Sequence, residues 1–175
     1  MANLSTYFIA SLPMLHFGGR PPFSFEAFLA RCEELIPSED AALIRSLRDS
    51  GAFPAARPII KKWLDFDTVI RNELVKIRAA RKKTDPAKYT RPDGYAGTGL
   101  YHIALAAHRN PSPLEGEKTL DRERWNFLDE LCLGHYFDLE FLIIYAYKLL
   151  ILARWERINT ADKSLLLEEA LAGRP

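Results

Sequence analysis

The sequence has little cysteine and no long apolar run, and both shortages narrow the class of protein. Cys32 and Cys132 are the only cysteines among 175 residues, too few for the disulfide framework of a small secreted protein. The first residues lack the basic and apolar segments of a secretory signal. The most apolar stretch, residues 141–153, contains Lys148 and would span only about 20 Å of a hydrocarbon layer of about 30 Å. We therefore expect a cytoplasmic protein in which residues 141–153 form a buried core helix.

The chain also lacks an excess of charge of either sign. Lys and Arg number 24 against 23 Asp and Glu, so a net charge of +1 provides no long-range attraction to nucleic acid or to an anionic membrane. With 48% hydrophobic and 27% charged residues the composition is that of an ordinary globular protein. A chain of this length can bury one substantial core. We expect a single helical domain comprising residues 1–175.

Apolar residues recur at three- and four-residue steps, and this period predicts an all-α fold. Ser24 is expected to cap a helix that ends at Pro37, and Ser38 to cap a short second helix. Residues 4–12 are ambiguous between a helix and a short edge strand. The clearest helix covers residues 58–83, where seven apolar residues form one stripe: Ile59, Ile60, Trp63, Phe66, Ile70, Leu74 and Ile77.

The second half of the chain alternates between breaks and helices. Residues 85–99 contain two prolines and three glycines and are expected to form an irregular loop, followed by a short helix over residues 100–108. The longest helical run is expected to begin at Thr119 or Asp121 and to end near Asn159, with a kink or two abutting helices at Gly134. Thr160 is then expected to cap an amphipathic segment, residues 161–171. The predicted architecture is an irregular multi-helix bundle with two long antiparallel helices and several shorter ones.

The sequence has no recognisable catalytic motif. Cys132 and His135 are one helical turn apart, but no second pair completes a zinc site, and His102 and His108 lie on different faces of a helix. The glycines of residues 94–99 lack the lysine of a phosphate-binding loop and do not follow a strand. We expect no catalytic, metal-binding or cofactor-binding residues and a protein that is not an enzyme.

The charges are unevenly distributed along the chain. Residues 71–91 contain eight basic and two acidic residues, a local charge of +6. Residues 115–140 contain eight acidic and three basic residues, a local charge of −5. One interpretation is that the helices bearing them pack antiparallel and neutralise one another. The other is that the charged patches serve to dock partners, and both can hold at once.

Three segments resemble a bacterial family of unknown function that is encoded with V-type ATPase subunits and is similar to the C-subunit of V/A-type ATP synthase. They are residues 7–13 (YFIASLP), residues 71–78 beginning Arg71-Asn72-Glu73-Leu74, and residues 137–154, with Phe137-Asp138, Tyr145-Ala146-Tyr147-Lys148-Leu149 and Arg154. The resemblance covers most of the chain and consists of helix-face patterns.

This resemblance implies a cytoplasmic all-helical protein that sits on the proteolipid ring and couples it to the central rotor shaft without a cofactor. The chain is considerably shorter than that C-subunit and lacks its repeated three-bundle body, which leaves open a reduced version, an assembly factor or a relative with another partner. For this role Arg71, Arg78 and Lys82 are the expected partner-binding residues, since they share one side of the long helix. Ile70, Leu74 and Ile77 are expected to point inward.

Two other functions compete with this one. The first is a small-ligand-binding protein or enzyme with a site in residues 91–102, where Tyr101 and His102 supply the polar groups. The second is a binder of anionic polymers through the basic residues 71–91. Nucleic acid is not an expected partner, and contact with a membrane is expected only through partner proteins.

Overall fold

A computed structural model describes residues 2–48, 57–92 and 99–161. Within these ranges the chain forms helices and no strand, which confirms the all-α prediction. The described part of the chain contains seven α-helices: α1 Ala2–Ser11, α2 Phe25–Leu35, α3 Ser38–Ser46, α4 Pro58–Lys82, α5 Leu100–Arg109, α6 Pro113–Leu131 and α7 Leu139–Thr160. A 3₁₀ turn, Pro86–Lys88, follows α4.

The ambiguous first segment is a helix, α1. Its residues Phe8 and Ile9 are buried, and the Phe8 ring stacks on that of Phe28 in α2 with 6.2 Å between ring centroids. Just beyond the helix, the Tyr145 hydroxyl donates to the carbonyl of Pro13 over 3.0 Å. These contacts join the start of the chain to α2 and α7.

The two short helices begin near the predicted positions. Ser24 caps α2 as expected, because its hydroxyl accepts the backbone N–H of Ala27 at 3.1 Å. The prediction for α3 was wrong by one residue: Ser38 is the first helical residue, and Pro37 occupies the cap position without a side-chain hydrogen bond. The fixed φ of proline is compatible with that position, so the turn forms without a hydroxyl cap.

The long helix α4 matches its prediction closely. Six of the seven stripe residues are buried and Ile77 is half-buried, packed against the same core. The helix ends at Lys82 because Lys83 adopts a left-handed conformation, with φ of 54°, and the N–H of Thr84 then reaches the carbonyl of Ala79. A stop signal of this kind normally uses glycine or asparagine.

The predicted longest run is two helices, one of the two possibilities expected at Gly134. Helix α6 begins at Pro113, earlier than Thr119 or Asp121, because Ser112 caps it and proline suits the first helical position. The run breaks at Gly134, whose φ of +88° lies in the left-handed region. Asp138 then caps α7 by accepting the N–H of Phe141 at 3.0 Å.

Contacts between side chains define the helix directions. Helix α6 is antiparallel to α7, because Asp129 pairs with Lys148 and Glu117 with Arg154. It also runs antiparallel to α4, because Phe66 and Asp67 on α4 contact Phe127 and Arg124 on α6 in the reverse order, with the two phenyl rings 3.9 Å apart. The antiparallel arrangement predicted for the long helices therefore holds for α4 and α6 but not for α4 and α7.

Helices α4 and α7 run in the same direction, with Arg57 beside Glu140 and the Trp63 ring 4.9 Å from the Tyr147 ring. Helix α7 supplies much of the core, which confirms the expectation for residues 141–153. No helix in the described ranges has both the length and the apolar character needed to cross a membrane.

Helix α5 crosses α6 very closely at Gly116. A Cβ atom at that position would lie 2.5 Å from the carbonyl oxygen of Ala107. Only glycine allows this approach without displacing a backbone. Buried side chains from α1 to α7 belong to one continuous core cluster. The organisation as a single domain stays a prediction.

Candidate functional site

The predicted partner-binding residues lie on the outside of α4. Arg71, Arg78 and Lys82 are all exposed, whereas Ile70 and Leu74 are buried. Arg71 also pairs with Asp67 one turn earlier, with 2.7 Å between Nη2 and Oδ2. The placement of these side chains follows the prediction, while their partner-binding role stays a prediction.

The acidic residues within 115–140 form their ion pairs with residues outside the basic stretch 71–91. Five of the eight acidic side chains form ion pairs: Glu117 and Asp121 with Arg154, Asp121 also with Arg124, Asp129 with Lys148, Asp138 with His135, and Glu140 with Arg57. Within the described ranges no ion pair joins the two stretches. Among the described residues, the two stretches therefore do not neutralise each other through direct ion pairs.

Most of the basic stretch forms no ion pair with any residue that the structure describes. Only Arg71, with Asp67, and Lys76, with Glu73, form ion pairs to described residues. The other six cations of the stretch have none there: Arg78, Arg81, Lys82, Lys83, Lys88 and Arg91. We call these six residues with Arg71 the basic surface. Four of its seven members project from α4, whose apolar stripe is packed into the core, so most of the basic surface is carried by a well-anchored helix.

A second exposed feature is the turn between α6 and α7. Leu133, Tyr136 and Phe137 are 77%, 65% and 59% exposed, three large apolar side chains within five residues. Grouped apolar exposure of this kind is typical of surfaces that contact other molecules.

A half-open groove of about 990 Å³ lies between the parallel helices α4 and α7. Residues from α2, from the turn after α3 and from the segment after the 3₁₀ turn also line the groove, among them Phe25, Leu47 and Arg91. Its walls are partly apolar and its lining includes six arginines and four acidic residues: Arg48, Arg71, Arg91, Arg124, Arg154, Arg157, Glu26, Asp67, Asp121 and Glu156. Sequence patterns did not predict this groove, because a pattern along one helix does not show how that helix is placed against another.

A network of buried charges lies beside the groove. Arg124 on α6 donates to Asp67 on α4 and to Asp121 on its own helix, each over 2.8 Å. The second oxygen of Asp121 accepts the indole N–H of Trp155 at 2.8 Å and lies 3.4 Å from Arg154. Burial opposes the charge on Arg124, but the two carboxylates outweigh it and raise the pKa of the guanidinium. The network ties α4, α6 and α7 together around paired, hydrogen-bonded charges.

Asn72 attaches the segment after α4 to the groove. This buried side chain donates to the carbonyl of Arg91 at 2.7 Å and accepts its N–H at 2.9 Å. The side-chain amide thus makes a pair of hydrogen bonds to the backbone of Arg91 and holds this residue at the groove. The resemblance had included Asn72, but its position on a helix gave no sign of this contact.

Tyr147 has an unusual environment in the same groove. Only 7% of its surface is exposed, and among the described residues its hydroxyl has no hydrogen-bond partner. Burial, with a smaller contribution from the Asp67 carboxylate, raises the pKa of the phenol above its ordinary value. The hydroxyl is thus a neutral donor without an acceptor, which is uncommon in a folded core.

The alternative site in residues 91–102 is only partly described, since residues 93–98 lie outside the described ranges. Tyr101 and His102 are exposed neighbours on α5, with 5.6 Å between their rings. Neither lines the groove, so the two residues and the cavity do not form one site. The predicted segment 161–171 is described only at Ala161, and Thr160 is the last residue of α7.

The possible metal ligands are largely engaged in other contacts. The Cys132 thiol lies 3.7 Å from the backbone carbonyl of His135, whereas the His135 ring contacts Asp138 at 2.6 Å. His135, Asp138 and Glu140 have ligand atoms within 4.8 Å of one another, but Asp138 caps α7 and Glu140 pairs with Arg57. Both cysteines are free thiols. The contacts that these side chains make within the turn and at the helix cap explain why they lie close together.

Comparisons with protein-family models, with curated proteins and with solved structures found no match for this chain. The resemblance to the V-type ATPase family therefore stays a prediction from the sequence.

Proposed function

We propose that this chain is a non-enzymatic docking protein whose basic surface binds an acidic surface of a partner protein. The supporting observation is the asymmetry of ion pairing among the described residues, in which five of eight acidic residues in 115–140 are paired but only two of eight basic residues in 71–91. Unpaired charge on a rigid helix speeds encounter with an oppositely charged partner and orients it. The exposed apolar turn between α6 and α7 is a second surface suited to docking.

We further propose that the partner is a rotary V-type ATPase, on the basis of the sequence resemblance. The chain would then be a subunit or an accessory or assembly factor, placed on the cytoplasmic face through contacts with the rotor shaft or the proteolipid ring. Such a role requires packed helices and a charged surface but no reactive group and no cofactor.

Charge reversal on the basic surface tests this proposal. Tagged wild-type protein is purified from its native host in mild detergent, beside the variant R78E/K82E and the control K62E, which reverses an exposed lysine on the other side of α4. We expect ATPase subunits with the wild type and with K62E, and a loss of at least tenfold with R78E/K82E. Consistent absence of these subunits from the wild-type sample would refute the partner, and equal recovery with R78E/K82E would refute the surface.

The same variants separate protein docking from binding of an anionic polymer. Phosphate contacts are strongest at low salt, so wild-type protein is titrated with duplex DNA and with heparin at about 50 mM salt. The docking proposal expects no measurable binding. Tight binding that falls steeply with added salt and disappears in R78E/K82E would assign the basic surface to a polymer instead.

A further inference from the structure

We propose that the groove between α4 and α7 binds an amphiphilic anion, a molecule with a carboxylate or phosphate head and an apolar body. The site is separate from most of the basic surface and does not depend on the docking proposal. Three features support it: the charge balance of the groove, its apolar walls and the unpartnered hydroxyl of Tyr147.

The groove carries more positive than negative charge. Of its six arginines, Arg48 pairs with Glu26, Arg71 and Arg124 with Asp67, and Arg154 with Asp121. Arg91 and Arg157 form no ion pair with any residue in the described ranges. A ligand that brings a negative group would supply the missing partners, because guanidinium groups hold carboxylates and phosphates with paired hydrogen bonds.

The walls of the groove match an apolar body. Helix α4 contributes Trp63, Leu64 and Val75, and helix α7 contributes Leu150 and Ile151. At about 990 Å³ the groove is at the upper end of the range of small-molecule sites, roughly 300–1,000 Å³. Apolar walls with a few convergent polar groups are the usual composition of such sites.

Tyr147 provides the observation that points to a missing group. It lines the groove, is more than nine-tenths buried, and its hydroxyl has no partner in the described chain. Nearby, the two oxygens of Asp67 are already occupied, one by Arg124 and the other by Arg71. The anionic head of a ligand would supply the acceptor that this hydroxyl lacks, while Arg91 and Arg157 supply the positive charge. The buried network around Arg124 holds the surrounding helices in place for this contact.

Binding is tested with dodecanoate and dodecyl phosphate, with dodecyltrimethylammonium as the cationic control, each kept below micelle formation. Backbone amide shifts of the full chain report where the probe binds and how tightly. We expect one or both anions to shift α4 and α7 saturably, and the cation to leave them unchanged. The better anion identifies the head group as carboxylate or phosphate.

Two variants and a control test the residues. Y147F is expected to weaken the better anion roughly two- to tenfold, the range of one hydrogen bond, while the free protein is as stable as wild type or more stable. R157E is expected to weaken it by at least tenfold, and K62E, outside the groove, to leave it unchanged. Failure of both anions to bind at about 1 mM, or equal binding of the cation, would overturn the proposal. Undiminished binding by correctly folded Y147F and R157E would overturn it too.

Discussion

Asp121 illustrates how much a single residue depends on its neighbours in this fold. The residue is 1% exposed, and its carboxylate has partners on α6 and α7: Arg124, Arg154 and Trp155. Such a carboxylate is stable in the core only while those groups surround it. Its sequence position gave only a weak signal, the Arg124 that follows three residues later.

Replacing Asp121 by alanine is expected to reduce the free energy of unfolding by about 3–5 kcal/mol, because it leaves Arg124 and the Trp155 N–H incompletely paired in the core. Urea denaturation followed by tryptophan fluorescence measures this loss. The control is D129A on the same helix, whose exposed carboxylate pairs with Lys148 and whose loss is expected to be below about 1 kcal/mol. Comparable losses in both variants would contradict the structural role of Asp121.

At the scale of the element, the beginning of α7 depends on Asp138. Burial opposes ionisation of this carboxyl, but hydrogen bonds from the His135 ring and from the Phe141 N–H outweigh it and hold its pKa below the usual value. The folded state therefore stabilises the charged form. The resulting stability is complete above the pKa of the unfolded chain, about 3.9, and is lost as pH falls through the lower folded pKa.

Two substitutions separate the cap from the charge at Asp138. D138A is expected to lower stability at pH 7 by about 1 kcal/mol, the usual effect of losing a helix cap, whereas D138N keeps most of the cap. Below about pH 4 the difference between wild type and D138N is expected to shrink, since the wild-type carboxylate becomes protonated. Thermal melts from pH 2 to 7 measure these differences. A difference that stays constant over this range would contradict the assignment.

At the scale of the whole molecule, the described helices share one continuous core, and this arrangement makes the single-domain prediction testable. Cys32 on α2 belongs to the core that α7 also helps to form, and its side chain is fully buried. Burial raises the pKa of its thiol to about 12, so few thiolates form in the folded state.

In a C132S background, we expect a thiol reagent to label Cys32 only through global unfolding. The opening free energy derived from the labelling rate should then equal the unfolding free energy obtained from urea denaturation. A clearly smaller opening free energy would indicate that α1 to α3 open separately and would contradict a single cooperative domain. The C32S chain, which retains the half-buried Cys132, is the matched comparison.

Sequence alone determined the features that depend on neighbours within a few residues. The Ser24 cap, the α4 stripe, the break at Gly134 and the exposure of Arg71, Arg78 and Lys82 all follow from local backbone preferences and helical period. The candidate site could not be predicted from local pattern alone. The separation of charge was evident in the sequence, but the sequence did not show which residues form ion pairs.

Only the tertiary structure decided how the helices are placed relative to one another. Packing of Phe8 against α2 accompanies the helical state of residues that were ambiguous alone, and the parallel course of α4 and α7 creates the groove. The burial of Asp121 and Tyr147 depends on the same placement. The reason is physical: helix formation follows from local period and capping, whereas burial and ion pairing depend on residues that are far apart in the chain.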